Sequence, residues 1–326
     1  MCAMPSLFIE QRRGFAVEAV HAIDAVSCNA SGDVRVLSGL DTLTTFRIAS
    51  KPFQLEVSVE LLSEAVRSRL SSSDLALGAA SHHGEPFHLD ALARLLTKLG
   101  RTQSDLLCGV HPPLDAQSAH AMIARGEEPS VLCNNCAGKH AFMSAASFAQ
   151  DFPADYRSPQ HPLQRAILER LETRTAYGLA DPVVDGCGVP CFVLKLSAMA
   201  RAYASLAKET KARLPSALSA IGRAMRDHPV LTSGTEAIDG WLMQHTSAIA
   251  KVGALGLICL AIPERGLGIA IKVSTGNELI RAVATASILE RYVPGLLHDA
   301  LPERYRTVYN VVGEQVGEIV TRFEGG

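Results

Sequence analysis

Apolar positions along this chain recur at two different periods, and the period changes from strand-like to helical and back again. From Phe15 to Leu40 the chain is rich in Val and Ala, breaks at Ser31-Gly32-Asp33 and resumes with Val34, Val36 and Leu37, the pattern of a strand, a tight turn and a return strand. A helical stripe then follows Pro52, with Leu55, Val59, Leu62 and Val66 on one face. Ser73-Asp74 is placed to cap a short helix, and Leu92, Leu95, Leu96 and Leu99 mark another that Gly100 should stop. Pro162 opens a helix carrying Leu163, Ile167 and Leu171 inward. Leu196, Met199 and Tyr203, then Leu214, Leu218, Ile221 and Met225, are further helical stripes, and core packing alone accounts for them. The last third returns to strands: Leu255 to Ile262, a Pro263-Glu264-Arg265-Gly266 turn, and Leu267 to Val273, apolar enough to be buried on both faces. Thr275-Gly276-Asn277-Glu278 has the form of a capping box before a helix from Leu279 to Tyr292, and Val311 to Val320 supplies a last strand. Strands, then helices, then strands predict an α+β fold: an antiparallel sheet built from N- and C-terminal strands and covered by helices. No linker or repeat divides the chain, so one domain over residues 1–326 is expected.

Composition narrows the function classes. A formal charge of −2 with 20% charged residues leaves no basic footprint for nucleic acid. No apolar run reaches membrane-spanning length and the N-terminal segment meets Glu10 early, which together predict a soluble, cytoplasmic protein without a membrane partner. Eight cysteines scattered over 326 residues do not form a disulfide framework; reduced thiols, some available to a metal, are expected.

Chemically reactive side chains are concentrated in a few stretches. The densest runs Leu132-Cys133-Asn134-Asn135-Cys136-Ala137-Gly138-Lys139-His140 and leads into the small-residue run Ala141 to Ala149. It reads either as a loop capping a helix through Asn134 or Asn135, or as a site at a helix N-terminus, where free N–H groups favour thiolates and anions. The crowding of thiols, amides, an ammonium and an imidazole favours the second. Asp185-Gly186-Cys187-Gly188-Val189-Pro190-Cys191 supports that choice. Ser81-His82-His83-Gly84-Glu85-Pro86-Phe87-His88 is also crowded, but its histidines lack the spacing of a helical zinc pair, and a nucleophilic or substrate-holding serine fits better. Lys51 sits where a helix dipole disfavours a cation, which points to a role beyond solvation, while Ser50 can serve as that helix's N-cap.

These segments, in this order, resemble the asparaginase II family. The resemblance is carried by Arg47 with Lys51-Pro52-Phe53-Gln54, Ser81-His82-His83-Gly84-Glu85-Pro86, Asn134 to His140, His161-Pro162-Leu163-Gln164, Asp185-Gly186-Cys187, Lys251-Val252-Gly253-Ala254 and the Pro263 to Lys272 hairpin. It implies a serine β-lactamase-like fold and hydrolysis of L-asparagine to aspartate and ammonia, in a homodimer. It implies a zinc ion held by Cys136, Lys139 and Cys187, with Cys133 and Cys191 left as buried thiols. It also implies serine–lysine catalysis, with Ser81 and Lys251 as one pair and Lys51 from the other able to share the base role. Arg47 and Asp185 are suited to the α-carboxylate and α-ammonium of an amino-acid amide. His83, Glu85, Asn135 and His140 are expected to border the substrate.

The sequence departs from the family pattern at three places. The first pair should read Ser-x-x-Lys, yet position 48 is Ile; Leu255 stands where an acid is expected and His83 where a smaller amide is expected. Either Ser81 is the sole nucleophile, or a rearranged first loop lets Ser50 substitute, or the activity is altered. The competing functions are a non-catalytic homologue that binds an amino acid or zinc, an amidase for a different small amide, and a β-lactam hydrolase, the last disfavoured by the missing Ser-x-x-Lys.

Overall fold

The computed structural model describes residues 6–325. Its main sheet has eight strands, all paired antiparallel. In spatial order seven of them run Thr307–Tyr309, Gln315–Glu324, Ser6–Arg13, Ala16–Asn29, Leu267–Val273, Leu257–Ile262 and Ile249–Val252, and Val34–Ser38 branches from Ala16–Asn29. The two predicted hairpins form as expected. The strand Ser6–Arg13 went unpredicted because its eight residues hold only a short apolar alternation, and it is stabilised by flanking partners from both ends of the chain, Leu7 facing Ile23 and Phe323. The final strand starts later than predicted, since Val311 and Val312 are exposed at the preceding turn.

Leu257–Ile262 is buried at every position, as its continuous apolar run requires. Helix Leu196–Ala212 packs on the three adjoining strands 16–29, 257–262 and 267–273, and helix Glu278–Tyr292 packs on the same region. Helices Lys51–Glu60, Ser72–Gly78, Ala137–Ala149 and Ala217–Asp227 form a cluster beside this layer. Helix Pro86–Leu99 ends at Gly100, whose φ of 64° is the left-handed cap predicted. Other caps fall a few residues from their expected places: Ser71 rather than Ser73 closes the box with Asp74, and Asn277 rather than Thr275 accepts from Leu279 and Ile280. The stripe after Pro52 belongs to two helices, Lys51–Glu60 and Glu64–Arg67, and Leu214, expected to begin a helical stripe, is exposed ahead of helix Ala217–Asp227. Among the described residues, no helix is long and apolar enough to cross a membrane.

One close approach sets the geometry of the site. A Cβ on Gly138 would lie 2.1 Å from the Leu77 carbonyl oxygen, so the first turn of helix Ala137–Ala149 rests directly on the end of helix Ser72–Gly78. Gly138→Ala is expected to cost about 1–3 kcal/mol, because backbone must move to admit the methyl group. Urea unfolding checks this; an unchanged midpoint would show that the two helices separate freely.

Candidate active site

Lys51 joins the crowded stretches. It opens helix Lys51–Glu60 with its side chain wholly buried, and its ammonium donates to the carbonyls of Ala80 and of Asn135, the latter at 2.9 Å. Those carbonyls immediately precede Ser81 and Cys136, so one cation holds the serine segment and the cysteine segment together. Burial pushes the Lys51 amine below its ordinary range. The residues just before it form a single 3-10 turn, Arg47–Ser50, braced by Tyr203, whose hydroxyl donates to Ala49 O at 2.7 Å and whose ring packs against Phe46 and Phe53.

A cavity of about 610 Å³ opens over this junction. Arg47, Ile48, Ser81, His83, Asn135 and Asp185 contribute to its wall, as do Cys136 and Cys187. Ser81 is nearly buried; its N–H donates to Thr232 O at 3.0 Å, but its hydroxyl has no hydrogen-bond partner. Ser50 instead donates its hydroxyl to Arg47 O at 2.6 Å and lies outside the cavity wall, while Ile48 faces the cavity. Of the two serines, Ser81 alone therefore offers an uncommitted oxygen there.

Arg47 and Asp185 meet each other, Nε donating to Oδ1 at 2.8 Å. Asp185 Oδ1 also accepts from the Gly186 N–H at 2.8 Å. Burial alone would raise this carboxyl, but Lys139, Arg47 and the Gly186 N–H outweigh it and hold the group below the usual carboxylate range. Asn135 borders the cavity, and its N–H donates to His111 Nε2 at 3.1 Å. Asn134 works behind it, its amide donating to Cys108 O and Gly109 O while its oxygen accepts from the Cys136 N–H.

Two residues expected at the substrate lie elsewhere. Glu85 accepts from the Thr235 N–H at 2.9 Å and from the Thr235 hydroxyl at 2.6 Å, tying the helix that begins at Pro86 to a distant loop. His140 is buried on helix Ala137–Ala149, with Nδ1 3.0 Å from the Tyr156 hydroxyl, and it does not border the cavity. Both follow from direction: Glu85 is the N-cap of its helix, and the turn of helix carrying Cys136 and Lys139 toward one side carries His140 into the core.

Cys136, Lys139 and Cys187 converge from two segments and are all buried. The Cys187 thiol donates to the Cys136 sulfur; that bond, with Lys51 and Lys139 close by, brings Cys136 well below the usual thiol range despite its burial. The same bond, together with burial, raises Cys187. Lys139 hydrogen-bonds Cys187 and reaches Gln54 Oε1 at 3.4 Å; burial opposes its charge, but Cys187, Cys136 and Asp185 outweigh burial and raise it. Two sulfurs and, once it gives up its proton, the Lys139 amine would supply N/S donors to a zinc ion. Among the described residues no three His, Cys, Asp or Glu side chains gather as ligands, and this set, with only two of them, depends on the lysine. Cys133 and Cys191 are buried, and burial pushes the Cys191 thiol up to about 11.

On the other side, Lys251 is wholly buried in strand Ile249–Val252, its amine 3.4 Å from Asp239 Oδ2. Burial, against the pull of Asp239, lowers this amine to about 8. Asp239 and Arg281, both part of the cavity wall, are site residues that sequence reasoning missed. Asp239 sits inside the apolar run Ile238-Asp239-Gly240-Trp241-Leu242-Met243, and a carboxylate in such surroundings was the available signal. Arg281 looked like an ordinary helical arginine, yet it is 5% exposed and donates to Gly253 O at 3.0 Å.

The family model described as L-asparaginase II matches residues 9–321, and the chain belongs to that family of amidohydrolases. No curated protein matches the sequence significantly. Among solved structures, Mglu aligns at 16% identity with a TM-score of 0.36, over 86% of this chain and 69% of its own. Its native form in 4.3 M NaCl aligns at 16% identity and a TM-score of 0.37, over 85% of this chain and 62% of its own, so this chain spans about two thirds of Mglu. The Bacillus subtilis glutaminase YbgJ, in covalent complex with 5-oxo-L-norleucine, aligns at 12% identity and a TM-score of 0.38, over 83% and 88% of the two chains. These likenesses are too loose to define the fold.

Proposed function

We propose that this protein is an L-asparaginase-type amidohydrolase that works through Ser81 and buried lysine, on a serine β-lactamase-like scaffold. The observation that carries the reading is the Ser81 hydroxyl, buried without a partner at the wall of a cavity whose surroundings hold three buried lysines, Lys51, Lys139 and Lys251. A serine hydroxyl needs a base, and a lysine lowered toward neutrality can serve as one. Lys251, at about 8, is the better suited, since Lys51 already donates to two carbonyls.

In the first half-reaction the Ser81 proton passes to the lysine as Oγ bonds to the amide carbon. The carbon–nitrogen bond then breaks, and the lysine returns the proton to the departing nitrogen as ammonia. Water resolves the acyl-enzyme to aspartate with the same base. Arg47 offers its remaining guanidinium donors to the substrate's α-carboxylate, and Asp185 supplies the counter-charge for the α-ammonium. Cys136, Lys139 and Cys187 would hold zinc, whose positive charge, when bound, stabilises nearby anionic oxygen or fixes the loop. The protein would act in the cytoplasm as a homodimer.

The direct test is ammonia release from L-asparagine, with L-glutamine beside it, by the purified protein. No release from either, with and without added zinc, would defeat the reading in favour of a binding homologue. A pH dependence follows as well. The base must be neutral, so kcat/KM should climb about tenfold per pH unit at acid pH and level off above the Lys251 value of about 8. A profile that is flat through that region would remove Lys251 as the base.

A further inference from the structure

We propose that Asp239 is the positioning residue for Lys251, completing an Asp–Lys–Ser relay in which its carboxylate orients the amine and steadies the ammonium formed when Ser81 gives up its proton. This rests on the Ser81–Lys251 reading above.

Three contacts make the carboxylate rigid. Oδ1 accepts from the Gly240 N–H at 3.2 Å, and Oδ2 accepts from the Val252 N–H at 3.1 Å as well as from Lys251 at 3.4 Å. The first ties Asp239 to the start of helix Ile238–His245, the second to the strand that carries Lys251. Asp239 and Lys251 are both 0% exposed, so no water competes for either charge, and their attraction is correspondingly strong. Asp239 also belongs to the cavity wall, which places the pair beside the reacting space rather than deep beneath it. The Ser81 segment is anchored close by, since Ser81 N–H donates to Thr232 O and residues 229–245 lead from that carbonyl to Asp239.

The charged and titratable groups around Lys251 are few. Asp239 faces it from helix Ile238–His245, Lys51 from helix Lys51–Glu60, Arg281 from helix Glu278–Tyr292, and Cys259 is its cross-strand partner. Two cations disfavour the Lys251 ammonium and Cys259 remains a thiol, so Asp239 is the one anion that sustains it, with the Val252 carbonyl a neutral acceptor at 3.5 Å. A carboxylate behind a proton-accepting nitrogen does the same work behind the imidazole of a Ser-His-Asp triad. Without it the amine would be neutral over a wider pH range but too weak a base, and would lose its one charged anchor.

The test follows Lys251 directly, by the 13C shift of its Cε in lysine-labelled protein, with the signal assigned by its loss in Lys251→Arg. In Asp239→Asn the midpoint should fall by about one pH unit or more. In the unmodified protein the Asp239 carboxyl signal should move with the same midpoint, a readout that needs no variant to fold. On L-asparagine, Asp239→Asn should lower kcat by about tenfold to a hundredfold and move the acid limb of kcat/KM downward with the NMR midpoint. An unmoved Lys251 midpoint, an Asp239 signal blind to Lys251, or a loss of activity confined to KM would each overturn the proposal. If the unmodified protein hydrolyses neither amide while the midpoints move as stated, the amidohydrolase reading fails and the coupling of Asp239 to Lys251 stands.

Discussion

Ser81→Ala is expected to abolish ammonia release from L-asparagine, by about a thousandfold or more, while leaving the fold intact. The two halves of that expectation have separate causes. Activity should fall because the hydroxyl is the proposed nucleophile, and Ser50, the other candidate serine, spends its own hydroxyl on the Arg47 carbonyl. Stability holds because the Ser81 oxygen has no hydrogen-bond partner, so its removal orphans no buried group and relieves one unpaired donor. The comparison variant is Ser50→Ala, which should keep most of the activity and lose a little stability with its hydrogen bond. Steady-state ammonia assays beside thermal melts read both. Loss of turnover in Ser50→Ala with retention in Ser81→Ala would transfer the nucleophile to the first loop, and equal retention in both would end the serine mechanism.

Cys136→Ala and Cys187→Ala should each empty the proposed metal site, taking zinc from near one ion per chain to near none. A four-coordinate ion with two thiolates, one amine and water loses half its sulfur ligation with either change. The thiols are unequal in the metal-free protein: the bond from Cys187 lowers Cys136 and raises Cys187, so Cys187→Ala removes one ligand and also weakens the other as a thiolate, whereas Cys136→Ala acts through the lost ligand alone. Cys133→Ala and Cys191→Ala are the controls; both side chains are buried and neither belongs to the implied ligand set, so zinc should be kept. Elemental analysis of dialysed protein decides. Full zinc in both Cys136→Ala and Cys187→Ala would sink the ligand assignment, and loss in all four variants would mean that the thiols act through folding.

Much of the site is legible in the residues alone, because their chemistry is improbable as packing. Core packing seldom sets thiols, a lysine and amides within a few positions at the start of a small-residue helix, and Lys51 at a helix start runs against the dipole. Glu85 and His140 were misplaced for one reason: adjacency in sequence says that groups are near, not which way they point. Glu85 turned to Thr235 and His140 to Tyr156. Asp239 and Arg281 escaped notice because a single charged residue in a helix carries no pattern, and only burial reveals that it must have a partner.

By itself, then, the sequence determined the alternation of strand and helix, the hairpins at either end, and the identity of the groups able to do chemistry. Those properties are local: hydrophobic period, turn residues and side-chain type act over a few positions. Only the tertiary structure decided that Ser6–Arg13 would be a strand, that Lys51 would bind the serine and cysteine segments to each other, and that Lys251 would face Asp239. Each of these joins segments far apart in the chain, and their partners are chosen by burial and unmet hydrogen bonds, which exist only once the core has closed.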